Sequence, residues 1–316
     1  MIAWIFPGQG TQKVGMGRAL YAASPAARAV FDAADAALGE PFSRLIFEGP
    51  AEQLTRTANA QPAILTASLA ALAALREAQP ALPSPAVAAG HSLGEYSALV
   101  AAGALEFQSA VRLVRLRGEA MQRAVAPGEG AMAAVVGGNA TAVEQLCAEV
   151  ERELGGAQVV SAANFNAPGQ VVIAGHAAAV ERAAALAKDR KLKVIPLKVS
   201  APFHCSLMAP AASALDRALS EIAFGAFQFP VISNVEAAPN SDSSRVRELL
   251  VKQVAGAVRW QETLEWMAGH GVETAWEIGP GQVLAGLAKR TTPNLVVWPA
   301  FEPEEVSRIA ASSRPS

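Results

Sequence analysis

The apolar run 86–90 ends in Gly90-His91-Ser92-Leu93-Gly94, and a helix rich in small residues begins just after Ser92. A strand that must pass into a helix across this pentapeptide constrains the fold more than any other feature of the chain. Such a turn is sharp, leaves no room for bulk at either glycine, and lifts the Ser92 oxygen clear of a sheet. The helix N-terminus behind it favours developing negative charge. The same pattern can be a plain strand–helix turn with a capping serine; the strand before and the helix after favour a nucleophile.

The rest of the chain supplies a sheet for that turn to sit on. Residues 2–6 form a short apolar strand that stops at Pro7-Gly8-Gln9-Gly10, and helical patterns follow over 24–38, 60–79 and 108–125. Strands alternating with helices predict an α/β fold, a parallel sheet covered on both faces. From Pro127-Gly128 the order changes to strand 131–136, helix 141–154, strands 158–164 and 170–175, helix 177–189 and strand 193–199. That βαββαβ order is the ferredoxin-like arrangement. It makes 127–199 a small inserted subdomain and 1–126 with 200–316 one large domain. A strand over 274–279, a Gly-Pro-Gly turn and a helix from Val283 to Arg290 follow, and the tail after Val306 is expected to be disordered.

Of the 316 residues 52% are hydrophobic, enough for a substantial core, and the net charge of −2 with a pI near 6.1 is not that of a nucleic-acid binder. Cys147 and Cys205 have no metal-ligand spacing, and two thiols make no disulfide framework, so no metal is expected. The N-terminal apolar run is too short for a signal peptide, and nothing approaches a membrane-spanning stretch. A cytoplasmic protein is the expectation.

A nucleophilic serine needs a base, and the chain has four histidines. His91 adjoins Ser92 in a strained turn, where a neighbour points its side chain elsewhere. His176 stands at a helix start and His270 at a helix end, positions that read as capping or solvent roles. His204 leads by elimination, in a loop where the chain returns from the insert and can overhang the C-terminal edge of the sheet.

Arg117 is a second anomaly. On helix 108–125, Ala110, Leu113, Val114, Ala120, Met121 and Ala124 form one apolar stripe, and Arg117 lies inside it. A guanidinium stays charged, so in a buried position it wants an anion. A snorkelling side chain and a pair with one of the protein's own carboxylates are the competing readings. The Gly8-Gln9-Gly10 stretch is no dinucleotide motif, because Lys13 stands where the third glycine belongs.

Pro7-Gly8-Gln9-Gly10, Gly90-His91-Ser92-Leu93-Gly94-Glu95-Tyr96, Ala201-Pro202-Phe203-His204 and Glu277-Ile278-Gly279-Pro280-Gly281 together resemble, in order and spacing, the malonyl-CoA:acyl carrier protein transacylases. The likeness runs to about residue 300. It implies an α/β-hydrolase-like core with a ferredoxin-like insert and a Ser92–His204 pair, with the histidine oriented by the main-chain carbonyl of Gln253. By the same resemblance the Gln9 and Leu93 N–H groups form the oxyanion hole, and Arg117 clamps the malonyl carboxylate. Phe203 resembles the malonyl-preferring form of its motif, and Gln61 and Asn166 are further pocket candidates. Cys205 stands where the family more often has serine, which raises it as a rival nucleophile, and Gln282 where lysine is common.

The implied reaction is a ping-pong transfer of malonyl from malonyl-CoA to the phosphopantetheine thiol of an acyl carrier protein, in fatty acid or polyketide synthesis. No metal or bound cofactor is implied. The expected partners are the carrier and malonyl-CoA, with no nucleic acid and no membrane, and the chain is expected to be a monomer. A thioester hydrolase of the same fold is the alternative enzyme, and a carrier-docking scaffold with a dead site the non-enzymatic one. The basic run Lys188, Arg190, Lys191 and Lys193 either steers an acidic carrier or is a plain solvated helix end.

Overall fold

Strand β1 (Ile2–Phe6) is apolar throughout, and its alternate residues serve two cores. Trp4 and Phe6 face one buried cluster, Ala3 and Ile5 the other. A strand buried on both faces belongs in the middle of a parallel sheet. The computed structural model, which describes residues 1–312, places it there. β1 pairs in parallel with β2 (Val87–Gly90) on one side and with β9 (Thr274–Glu277) on the other. β10 (Val296–Pro299) adds in parallel to β9, and β7 (Val231–Ile232) to β2. Short β8 (Pro239–Asn240) closes that edge antiparallel to β7.

One face of this sheet carries the larger helical layer, including 25–38, 57–78, 94–101 and 107–123; helices 260–269 and 283–291 cover the other. The central helix Thr57–Ala78 corrects one expectation. By length and hydropathy its 22 residues could cross a membrane, yet 83% of its most apolar window is buried inside the protein. Most of its faces are apolar because other helices enclose it.

The second sheet is antiparallel, in the order β4 (Val160–Ala167), β5 (Gln170–His176), β3 (Gly130–Val136), β6 (Lys193–Pro196). With helices 140–153 and 177–189 this is the ferredoxin-like arrangement read from the sequence. The strand expected over 193–199 is shorter. Its pairing stops at Pro196, the Leu197 N–H adds one bond to the Met132 carbonyl, and residues 197–200 then run along a cleft. Main-chain bonds tie β4 of this sheet to the segment of the large part that leads into helix 260–269: Phe165 N–H to Val258 O and Val258 N–H to Ala163 O, both 2.9 Å.

The tail expected to be disordered after Val306 is also corrected, because Pro303–Ser312 is a helix. Glu305 Oε2 accepts the N–H groups of Phe301 and Glu302, Pro303 starts the first turn, and Val306, Ile309 and Ala310 are buried against the core. The final residues 313–316 lie outside the described part.

Candidate active site

β1 and β2 end side by side, so the Pro7–Gly10 loop and the serine turn meet at the C-terminal edge of the sheet, where ligand sites of open α/β sheets lie. The turn is tight. A Cβ on Gly90 would stand 1.9 Å from the Gly94 carbonyl, and one on Gly94 would stand 2.1 Å from Phe6 O. Ser92 itself has φ +50°, a left-handed conformation that costs energy for a residue with a Cβ. Asn234 braces it: Oδ1 accepts the Ser92 N–H and Nδ2 donates to Gly90 O, both at 2.7 Å.

Ser92 Oγ lies 2.7 Å from His204 Nε2. The other ring nitrogen, Nδ1, is 2.9 Å from the Gln253 main-chain carbonyl. A carbonyl only accepts, so Nδ1 carries the proton and Nε2 is left free to accept one from the serine. Burial first, and then the Arg117 charge, push the His204 pKa down to about 3, against the hydrogen bond to Gln253. The base is therefore neutral at physiological pH.

Arg117 is 2% exposed; the stripe in which it sits packs into the core, and Arg117 and Met121 reach the cleft from it. Nη1 donates to Gln61 Oε1 at 2.8 Å, and Nη2 to Gln253 Oε1 at 3.0 Å and Ser92 Oγ at 3.2 Å. Its guanidinium lies 5.3 Å from the centre of the Tyr96 ring. Among the described residues it makes no ion pair with a carboxylate, and its Nε has no partner. Both competing readings therefore lose ground: the side chain neither snorkels nor pairs directly with an acid.

The cleft above these groups encloses about 680 Å³. Gln9, Gln61, Ser92, Arg117, Phe203 and His204 line it from the large sheet's side, and Met132, Asn166 and Val172 from the small sheet's side. Of the sequence candidates, Leu93 and Gln253 lie behind this surface. A Cβ on Gly8 would meet His91 O at 2.5 Å, so that glycine lets the Gln9 loop press against the serine turn. The N–H groups of Gln9 and Leu93 have no acceptor within the described chain, as donors for a transient oxyanion require.

Other sequence readings resolve plainly. His91 does not leave the site as expected: it lines the same cleft, but it is held away from the proton transfer, with Nε2 2.8 Å from Asn166 Oδ1 and its ring against Trp260. His176 stands at the N-terminal end of helix 177–189 without capping it through its side chain, whose Nδ1 instead receives the Val159 N–H, while His270 ends helix 260–269 and stacks on Trp266. The Cys205 thiol is buried, donates to Pro202 O at 3.0 Å and is pushed up to about 11 by burial, so it stays protonated and unreactive. Glu277 serves the fold, accepting the N–H groups of Leu284 and Ala285 at a helix start. Among the described residues no group of three His, Cys, Asp or Glu side chains is placed to hold a metal.

Sequence reasoning did not single out Asn234 or the side-chain role of Glu95. Asn234 stands two residues beyond β7, and its position past a strand's C-terminal end was a usable signal. That strand, however, is only two residues long.

Residues 3–310 match the family model described as the acyl transferase domain. A malonyl CoA-acyl carrier protein transacylase of Bacillus subtilis (strain 168) is 48% identical, over 96% of this chain and 95% of that protein. Its namesake in Escherichia coli (strain K12) is 46% identical, over 96% and 97% respectively. Among solved structures, a malonyl-transacylase in complex with its type II PKS acyl carrier protein superposes with a TM-score of 0.94 at 43% identity, covering 98% of this chain and 99% of that one. An acyl carrier protein S-malonyltransferase from Vibrio cholerae gives a TM-score of 0.93 at 43% identity, with the same coverage.

Proposed function

The chain belongs to the acyl transferase domain family, and from that premise we propose that it moves malonyl from malonyl-CoA to the phosphopantetheine thiol of an acyl carrier protein. The observation that carries the substrate is Arg117, a buried cation without a carboxylate partner, 3.2 Å from the Ser92 oxygen. In a malonyl thioester the free carboxylate is separated from the reacting carbonyl carbon by one methylene. A cation beside the nucleophile is therefore where that carboxylate must sit when the carbonyl is attacked.

Ser92 Oγ attacks the thioester carbon and passes its proton to His204 Nε2. The Gln9 and Leu93 N–H groups take the charge that develops on the carbonyl oxygen. When the C–S bond breaks, His204 returns the proton to the coenzyme A sulfur, leaving malonyl on Ser92. The carrier's thiol then gives its proton to His204 and attacks the acyl-serine, and Ser92 recovers its proton as the new thioester forms. His204 needs no acidic partner, since the Gln253 carbonyl supplies its orientation. Gln61 steadies the clamp, and Phe203 and Asn166 shape the pocket wall. No bound cofactor enters these steps, and we assign the reaction to a monomer in the cytoplasm, in fatty acid or polyketide synthesis. The hydrolase alternative has no use for a buried cation at the acyl pocket.

The test is direct. With labelled malonyl-CoA and no carrier, the protein should retain one acyl group per chain, and Ser92→Ala should retain none. Adding carrier bearing phosphopantetheine should remove the label from the protein, and water alone should not. Label persisting on Ser92→Ala, or released equally by water, would refute the transfer.

A further inference from the structure

Glu95 is a buried carboxylate that the acyl-transfer steps leave without a task. It is 3% exposed, and burial pushes its carboxyl up to about 7 against hydrogen bonds from Gln253 and the Asn234 N–H. Its Oε2 accepts Gln253 Nε2 at 2.7 Å and the Asn234 N–H at 3.0 Å. The same Gln253 Nε2 also donates to Ser92 O at 2.9 Å, while Gln253 Oε1 receives Arg117 at 3.0 Å.

A glutamine amide donates at one end and accepts at the other, so its use depends on which way round it sits. Arg117 only donates, and therefore needs Oε1 turned towards it. Glu95 Oε2 and Ser92 O stand at the opposite end of the amide. Reversing the amide would set its oxygen against two oxygens and its NH₂ against a guanidinium. Without Glu95 only the Ser92 carbonyl remains to accept at the NH₂ end of the amide, and the Asn234 N–H loses its acceptor as well.

We infer that Glu95 is a positioning residue for acyl selection: its carboxylate fixes the polarity of the Gln253 amide, and that amide, with Gln61, holds the Arg117 guanidinium against the acyl pocket. This rests on the transfer reading above. It separates two functions of Gln253, because the main-chain carbonyl serves His204 and the side chain serves Arg117.

The experiment compares acylation of Ser92 by malonyl-CoA and by acetyl-CoA in the full chain, with folding checked by circular dichroism. Glu95→Gln should keep the malonyl-to-acetyl ratio of kcat/KM within about twofold, since its amide oxygen can accept both bonds. Glu95→Met should lower the ratio about tenfold, the scale of a lost buried hydrogen bond to a charge network. In an Arg117→Ala background the same substitution should leave the ratio unchanged, because the group it positions is gone. A folded Glu95→Met protein that keeps the wild-type ratio, with both substrates falling together, overturns the inference. Should Glu95→Met not fold, Gln253→Met carries the test: it keeps the carbonyl on His204 and should lower the ratio likewise, and an unchanged ratio there is equally fatal. Wild-type protein that takes up no malonyl would instead sink the transfer reading.

Discussion

Arg117 was visible in the sequence as a charge inside an apolar stripe, and its neighbours decide what that charge is for. All its acceptors are neutral oxygens, and the Glu95 carboxylate, whose charge reaches it, is linked to it only through the Gln253 amide, so an incoming carboxylate would be its first directly bonded anion. Removing the guanidinium strands that carboxylate in a partly desolvated pocket. Arg117→Ala should lower malonyl kcat/KM by about 30-fold to several thousand-fold, the equivalent of roughly 2–5 kcal/mol, while acetyl-CoA use is spared. The malonyl-to-acetyl ratio is the readout; a ratio that does not move makes Arg117 a structural cation. The same charge also acts on the base. With His204 held down to about 3 by burial and by Arg117, acylation kcat/KM should stay flat from pH 8 to pH 5 and fall only as the imidazole protonates near its lowered pKa. With acetyl-CoA as substrate, Arg117→Ala should move that acid limb upward, because a repelling charge has gone. A full acid limb at pH 6–7 in the wild-type profile would contradict the assignment of a buried neutral base. Ser92 and His204 were legible because a serine between two glycines and a shortage of histidines narrow the choice. Asn234 was not, since a two-residue strand leaves no periodicity to read.

At the scale of elements, what the sequence revealed depended on how each piece buries its surface. The βαββαβ insert was readable because its strands and helices each show a regular period. The terminal helix Pro303–Ser312 was missed because only three of its residues are buried and a polar end follows. The basic run at the end of helix 177–189 is now placed. Arg190 is tied to Glu149, whereas Lys188, Lys191 and Lys193 are exposed, the last of them on edge strand β6. That strand continues into Leu197 and Lys198, which line the cleft. A carrier delivering a thiol there would pass this edge. If the charges steer it, Lys191→Glu with Lys193→Glu should raise the apparent KM for carrier severalfold and leave that for malonyl-CoA unchanged. The effect should shrink in high salt, since exposed charges are screened over about 10 Å at 0.1 M. Unchanged carrier kinetics would return the run to a solvated helix end.

For the whole molecule, the two sheets share a core more closely than a domain boundary drawn at 127 and 199 implies. Met132, Ala134, Val172 and Ala174 belong to the same buried cluster as Trp4, Phe31 and Leu65 of the large part. Their alternates, Ala133, Val135, Val171 and Ile173, pack under the insert's own helices. Strands β3 and β5 thus use their two-residue period to serve two cores at once. The site depends on this arrangement, because Met132, Asn166 and Val172 form the far wall of the cleft that holds Ser92. A subdomain that fills one face of its sheet with its host should not melt alone. The tryptophans offer a clean probe: all five, at positions 4, 260, 266, 276 and 298, lie outside 127–199. Their fluorescence reports the large part, and amide exchange of β3 reports the insert. We expect one transition in denaturant, with β3 amides as well protected as those of β1, because opening the insert alone would expose the apolar face on both sides. Met132→Ala should then lower the stability seen by tryptophan, some distance away in another segment, by about 2–5 kcal/mol as a buried truncation does. Were β3 amides to exchange well before the tryptophan signal changes, the insert would be a separately opening unit, and the cleft's far wall would be a moving part of the catalytic site.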